Sequence, residues 1–479
     1  MNTECKQPPL FFQPHGSRSV EAAFDGGMIT SDGGALLLRE LEGQQHIVQE
    51  FARCFVDHRD PKAIEFTVEE LLKQRVFGLA LGYEDLNDHD KLRVDPLLAL
   101  LCGRADVTGA DRRCAADQGK PLAGKSTLNR LELHSGDPAR DGVYKKIAVA
   151  ETQVKEFFLA QFFRAHRTIP LRIYLDLDAT DDRIHGQQEG RHFNGYYDDY
   201  CYLPLYIFCG DELLWAQLRT ADKGAAEGAL AAVQQIVAAI RKRWPLTEIV
   251  VRGDGGFCAD DLMTWCEAQR GVAYILGLPQ NARLVRAIAP QQERAKLCCE
   301  ISGQAARVFT EFPYATLKSW SRERRVIAKA EHVPGKANPR FVVTSLPEWE
   351  VTWDEQVIWN DARRVYEEIY CARGEMENRI KEQQLDLFAD RTSTHYLKAN
   401  QLRVWLSAVG YVVLNALRRT ALGGTALARA YVGTIRAELL KIGGVVKVSV
   451  RRVKLSLSSA YPRAELFARL LARLRAAAD

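Results

Sequence analysis

RIYLDLDAT, residues 172–180, alternates apolar and polar side chains without a break. Ile173, Leu175 and Leu177 point one way, and Tyr174, Asp176 and Asp178 the other, as a strand with one face on a core requires. Two more extended runs follow, YCYLPLYIFCG (200–210) and ELLWAQLRT (212–220), with Gly210-Asp211 as a hairpin turn between them. A helix is expected over about 223–243, with Leu230, Val233, Val237 and Ile240 on one stripe. The strand EIVVRGD (248–254), a helix near 259–269 and the strand VAYILGL (272–278) complete the run.

Three meandering strands followed by helix, strand, helix, strand is the order of the ribonuclease H-like α/β fold. In that fold the first and fourth strands are neighbours, so Asp178 and Asp254 would meet. Gly255-Gly256 lets the chain turn sharply after Asp254. From 281 to 350 the helical pattern fades and a β-rich insertion is expected. A long helix returns at about 360–385 and another at about 396–420. The fold class expected is therefore α/β. A ribonuclease H-like catalytic domain (166–280 and 351–420) is split by the insertion. It is preceded by a mainly helical DNA-binding region (1–165) and followed by a basic α+β region (421–479).

Composition narrows the function classes. The chain has 479 residues, 47% hydrophobic and 26% charged, which is ordinary globular composition. No apolar run approaches the roughly 18 residues of a membrane span, and MNTECKQPPLFFQPHGS lacks the apolar core of a secretory signal. A cytoplasmic protein without a membrane partner is expected. The 11 cysteines form no CxxC pair, which argues for reduced thiols rather than zinc ribbons or a disulfide framework. The net charge is +4, yet residues 418–479 carry 13 Lys and Arg against three acids. That basic tail suits a polyanion. Arg451, Arg452 and Lys454 stand in its strand-like run VVKVSVRRVKLSL (445–457).

Near the N-terminus, Ser31 or Asp32 is expected to cap a helix carrying Leu36, Leu37, Leu38 and Leu41. The paired glycines there lack the Lys-Ser/Thr of a phosphate loop and read as turns. GKSTLNRLE (124–132) reads as a helix capped by Ser126, with Asn129 and Arg130 free to reach DNA; a plain surface helix is the alternative.

Three carboxylates carry the expected chemistry: Asp178 at a strand end, Asp254 past the fourth strand, and Glu377 on the helix after the insertion. Phosphodiester cleavage must stabilise an attacking and a leaving oxygen at one phosphorus, which two Mg²⁺ ions do when held by a few acids. Around Glu377, Tyr370, Arg373, Glu377 and Lys381 fall within one arc of a regular helix. Asp176 shares the face of Asp178, and a period of two cannot separate them. Asp176 is thus the reserve ligand.

The Y-x2-R-x3-E pattern of that helix resembles the signature of a large group of bacterial insertion-sequence DDE transposases. D-A-T at 178–180 is similar to the group's first-aspartate motif, and R-G-D-G-G-F at 252–257 to its second. The segments ITSDGGALLLREL, GYEDLNDHDKLRVDP, DATDDRIHGQQEG and KANQLRVWL extend the likeness over nearly the whole chain. The group has a Lys seven positions after the Glu. Here Gln384 stands there, which leaves Lys381 as the candidate substitute. The resemblance implies Asp178, Asp254 and Glu377 as ligands of two Mg²⁺ ions, with Mn²⁺ as a possible substitute. It implies phosphate contacts by Arg373 and Lys381, and Tyr370 placed near the cut. It also implies Trp320 as a platform for a flipped base, with Trp349, Trp353 and Trp359 in competition. The implied partners are double-stranded DNA, as inverted-repeat ends and as target, and a second copy of the chain when the ends are paired. A ribonuclease H-like nuclease and a non-catalytic DNA-binding derivative are the alternatives.

Overall fold

The computed structural model describes residues 8–134, 141, 142, 144–351 and 357–477. It is a mixed α/β protein in two compact units. Trp353 lies outside the described residues.

One unit comprises Thr152–Gln384 and Asp390–Trp405. Its centre is a mixed sheet of β1 (Arg172–Ala179), β2 (Leu205–Cys209), β3 (Glu212–Gln217), β4 (Glu248–Gly253), β5 (Val272–Leu278), β6 (Ala306–Tyr314), β7 (Arg324–Val333) and β8 (Arg340–Thr344). They lie in the order β3-β2-β1-β4-β5-β8-β7-β6, with the short strand Lys336–Ala337 paired to β7. β1, β2 and β3 form an antiparallel meander, turned at Gly210, whose φ of 59° needs no Cβ. β4 runs parallel to both β1 and β5.

Strands inside such a sheet need apolar cover on both faces. On one face Ile173, Leu175, Leu177, Ile249 and Val251 pack in one cluster with Val233, Ile236, Val237 and Ile240 of the helix Ala229–Arg243. On the other, Val250, Ile275, Ile327 and Val342 meet Val365 and Ile369. Each such side chain contributes about 1.5–3 kcal/mol on burial.

Two features differ from the sequence reading. The segment 281–350 opens with helices, Ala282–Ala287 and Ala289–Ser302, where only extended chain was expected. Asn281 caps the first through Arg283 and Leu284, and Pro290 stands in the first turn of the second. The β-strands that follow do not form a separate body: β8, β7 and β6 extend the central sheet from β5.

The other unit comprises Met1–Glu151, Leu385–Ala389 and Leu406–Asp479. Its helices include Leu36–Gln45, Val68–Ala80, Lys125–Glu132 and Ala464–Ala476. Val68–Ala80 starts from a capping box, Thr67 with Glu70. From its buried face Arg75 pairs with the fully buried Glu132 and bonds His89. The tail folds back on the N-terminal part: Gly444–Ser449 pairs with Met28–Thr30 on one side and with Arg452–Leu457 on the other. Gly34 is required there, because a Cβ would stand 1.7 Å from the Leu439 carbonyl oxygen.

Neither expected cap forms. Asp32 flanks its helix without capping it; its carboxylate accepts from Tyr83 Oη at 2.7 Å and pairs with Lys441 at 2.6 Å. Ser126 is inside its helix, which begins at Lys125, and Asp90 Oδ1 accepts from the Lys125 backbone N–H at 2.9 Å instead. Among the described residues no helix is long and apolar enough to cross a membrane.

Candidate active site

The site is built at the ends of β1 and β4. Parallel pairing sets Leu177 opposite Gly253, which places the next residues, Asp178 and Asp254, side by side. Asp254 leaves its strand and caps the turn Gly255–Phe257, its Oδ1 accepting from the Gly256 N–H at 2.8 Å. A Cβ on Gly256 in this turn would stand 2.8 Å from Ala225 Cβ. A Cβ on Gly277, in the neighbouring β5, would meet Gly255 N at 2.7 Å and Tyr370 Oη at 2.8 Å.

The third element is a helical rod of changing pitch. A wide π-turn over Val365–Tyr370 is followed by a tight turn, Cys371–Arg373, and then by the α-helix Gly374–Lys381. A single regular helix was expected; turns of this kind cluster where side chains must be re-aimed. From the tight turn Arg373 reaches both remaining acids. Its Nη1 lies 3.8 Å from Asp178 and its Nη2 lies 3.6 Å from Glu377. Both are ion-pair distances too long for hydrogen bonds. One guanidinium thus stands between two carboxylates on the same side of the sheet.

The electrostatics follow from this crowding. Burial first, then the nearby Asp254 and Glu377, push the Asp178 carboxyl up to about 7, against the pull of Arg373. Tyr370, half-buried and tilted against Tyr366 with ring centroids 5.6 Å apart, has its phenol raised mainly by burial. A cleft of about 560 Å³ opens beside Asp254, with Tyr197, Tyr366, Tyr370, Lys223 and Arg340 among its walls.

The acids suit a hard divalent cation in chemistry: oxygen donors only, with mutual repulsion that one guanidinium offsets in part. Their placement is looser than a metal shell. Among the described residues no three His, Cys, Asp or Glu side chains stand close enough together to hold an ion, and Glu377 is half exposed. The donor types suit such an ion, while the side chains as placed do not close around one, and Arg373 stands between Asp178 and Glu377.

Asp176, the reserve ligand, is engaged elsewhere. It is buried in a two-pronged ion pair with Arg252, at 2.6 and 2.7 Å. Lys381 is exposed at the end of its helix. Gln384, standing where the resembling group has Lys, donates to Asp181 O and Asp182 Oδ1, each at 3.2 Å. It thereby ties the rod to the loop after β1. The sequence reading gave Gln384 no role; its position seven residues after Glu377 was the available signal.

The remaining candidates have the following surroundings. Trp320 is half-buried, edge-on to Tyr314 at 5.8 Å. Arg324 lies over its ring at 5.5 Å and is itself paired with Asp260 and Glu267. Arg322 and Arg325 are likewise paired with acids, Glu267 and Glu311. Trp349 and Trp359 are exposed and opposed across two short antiparallel strands, Trp349–Val351 and Val357–Trp359. Arg130 is exposed over Tyr144. Arg451, Arg452 and Lys454 are exposed at and beyond the tip of the hairpin Gly444–Leu457, where Lys447 faces Lys454 directly.

No curated protein sequence matches the chain. A solved structure, the cryo-EM structure of the piggyBac transposase synaptic complex with hairpin DNA, is similar at 10% identity and a TM-score of 0.41, over 86% of this chain and 80% of that one. That is a loose likeness. The family model for the transposase DDE domain, group 1, matches residues 12–479, and the chain therefore belongs to the DDE transposases.

Proposed function

We propose that this transposase cuts the ends of its element and joins them to target DNA at a site formed by Asp178, Asp254 and Glu377 on a ribonuclease H-like core. The observation that carries the reading is the meeting of three separate segments: two neighbouring parallel strands bring Asp178 and Asp254 together, and Arg373 links Asp178 to Glu377. The strand order β3-β2-β1-β4-β5 supports the choice of core.

Two divalent ions held by the three acids, Mg²⁺ or Mn²⁺, would offset negative charge on the phosphate oxygens and favour ionised oxygen nucleophiles. Water oxygen bonds to phosphorus at the element's end, its proton passing to solvent, and the 3′ oxygen leaves, taking up a proton as a 3′-OH. That hydroxyl then attacks a target phosphodiester, giving its proton to solvent, and the target's own 3′ oxygen leaves and is protonated in turn. Arg373 lies where it can pass from the carboxylates to a phosphate oxygen, with Lys381 as a second cation on the rod. Tyr370, beside Asp254, bounds the space for the DNA strand. The exposed cations of the Gly444–Leu457 hairpin, with Arg130, bind the duplex backbone. Paired ends require at least two copies of the chain, acting on cytoplasmic DNA.

The test is nicking of a supercoiled plasmid carrying the element's ends, with and without Mg²⁺, beside a mobility-shift assay. Asp254→Asn is expected to abolish nicking and strand transfer while DNA binding survives, because binding rests on phosphate contacts elsewhere. Wild-type cutting by Asp254→Asn overturns the reading.

A further inference from the structure

One buried guanidinium touches all three segments that bring the acids together. Arg252 lies in β4, two residues before Asp254, and is 7% exposed. Its Nε and Nη2 donate to Asp176 Oδ1 and Oδ2 at 2.6 and 2.7 Å, and its Nη1 donates to the Ile369 carbonyl at 2.6 Å. Asp176 precedes Asp178 by two residues and lies directly opposite Arg252 in the β1–β4 pairing. Ile369 stands in the wide turn just before Tyr370 and Arg373. There the change of pitch breaks the regular ladder of the rod, and a carbonyl can take a side-chain donor from outside. The guanidinium also lies over the Tyr174 ring at 4.6 Å, which fixes its plane.

A buried ion pair is a poor way to gain stability alone, since well-packed apolar residues of similar volume often do as well or better. What the pair adds is direction. A planar fork with donors in fixed directions sets the relative position of whatever it binds, which a point charge such as Lys does not. We propose that Arg252 is a positioning residue for the metal-binding acids. It locks the strand of Asp178, the strand of Asp254 and the rod of Arg373 and Glu377 into one register, through Asp176 and the Ile369 carbonyl. This rests on the reading of the three acids as metal ligands, and it gives Asp176 a task that its motif position alone does not.

The test uses the full chain and Mn²⁺ alone, by isothermal titration at low temperature, with thermal melting in chelator as a control. Wild type is compared with Arg252→Lys, Asp176→Asn and Asp254→Asn. Arg252→Lys should stay folded at the titration temperature, bind random DNA as wild type does, and lose about 10–100-fold in Mn²⁺ affinity, the usual cost of removing a group that orients metal ligands. A merely structural residue would lower the melting temperature and leave the Mn²⁺ affinity of the folded protein unchanged, and that result overturns the proposal. Asp254→Asn separates the two levels. If it loses Mn²⁺ while Arg252→Lys keeps it, only the positioning role fails. If Asp254→Asn also keeps full affinity, the metal-binding reading falls and the proposal with it. Should Arg252→Lys not fold, Asp176→Asn decides by the same readout, since it removes the ion pair and leaves the guanidinium in place.

Discussion

Replacing Asp178 with Asn should make the metal-free protein more stable at pH 8, although it removes a residue on which the proposed chemistry depends. The Asp178 side chain is 17% exposed, and its carboxyl is raised from 3.8 to about 7, first by burial and then by Asp254 and Glu377. The folded chain therefore holds this proton more tightly than the unfolded chain does. Below about pH 4 both states carry the proton and nothing is lost. As pH rises toward 7 the unfolded chain releases its proton first, so folding stability falls, and above 7 the loss levels off. At about 1.4 kcal/mol per pH unit the full loss is about 4 kcal/mol. That is an upper bound, because relaxation and entry of water reduce the cost of a buried charge. Asn resembles the protonated acid and does not titrate. The gap in melting temperature between Asp178→Asn and wild type should open between about pH 4 and 7, reaching several degrees at pH 8. The assay is thermal melting followed by circular dichroism in EDTA from pH 5 to 8.5. Mn²⁺ should close the gap, since an ion at 1,000 times its Kd adds about 4.1 kcal/mol to the form that binds it. An Asn variant that melts below wild type at pH 8 in EDTA, or a gap that does not change with pH, refutes the reasoning.

Two further outcomes are expected. Changing Arg451, Arg452 and Lys454 together to Ala should flatten the slope of log binding constant against log salt by about two to three, with equal weakening on end DNA and random DNA, as measured by fluorescence anisotropy; an unmoved slope would mean that the hairpin cations are only solvated. Trp320→Ala should cost about 2–4 kcal/mol of stability, because the ring packs at the edge of the core beside Tyr314. End cleavage by the folded variant should be unchanged in a gel assay, and a selective loss of cleavage would return Trp320 to the DNA.

The central sheet of the unit that carries the acids is legible because its strands are amphipathic in a simple way. Ile173, Leu175 and Leu177 alternate with polar residues, and that alternation marks both the strand and the face. The same period of two cannot separate Asp176 from Asp178, because both lie on the opposite face. Only the long-range pairing with Arg252 does so. The rod was legible as a helix but not in its pitch, since its π and tight turns answer to packing and to Arg252 rather than to local propensity. The helices after Asn281 were missed although Asn281 and Pro290 were good start signals; the short first helix and the mostly exposed second one show little apolar periodicity. The expected caps at Asp32 and Ser126 do not form, for a common reason. Asp32 is taken by distant partners, Tyr83 and Lys441, and the Lys125 N–H is taken by Asp90. The return of the tail to pair with Met28–Thr30 leaves no local trace, since register between distant strands is set by tertiary packing.

The measurement that bears most directly on the site is anomalous diffraction from crystals of the full chain with Mn²⁺ and a duplex bearing the element's end. The account predicts Mn²⁺ peaks among the carboxylates of Asp178, Asp254 and Glu377, with Arg373 withdrawn from between them, and no such peaks in Asp254→Asn. Mn²⁺ bound elsewhere, or the same peaks in Asp254→Asn, would contradict it.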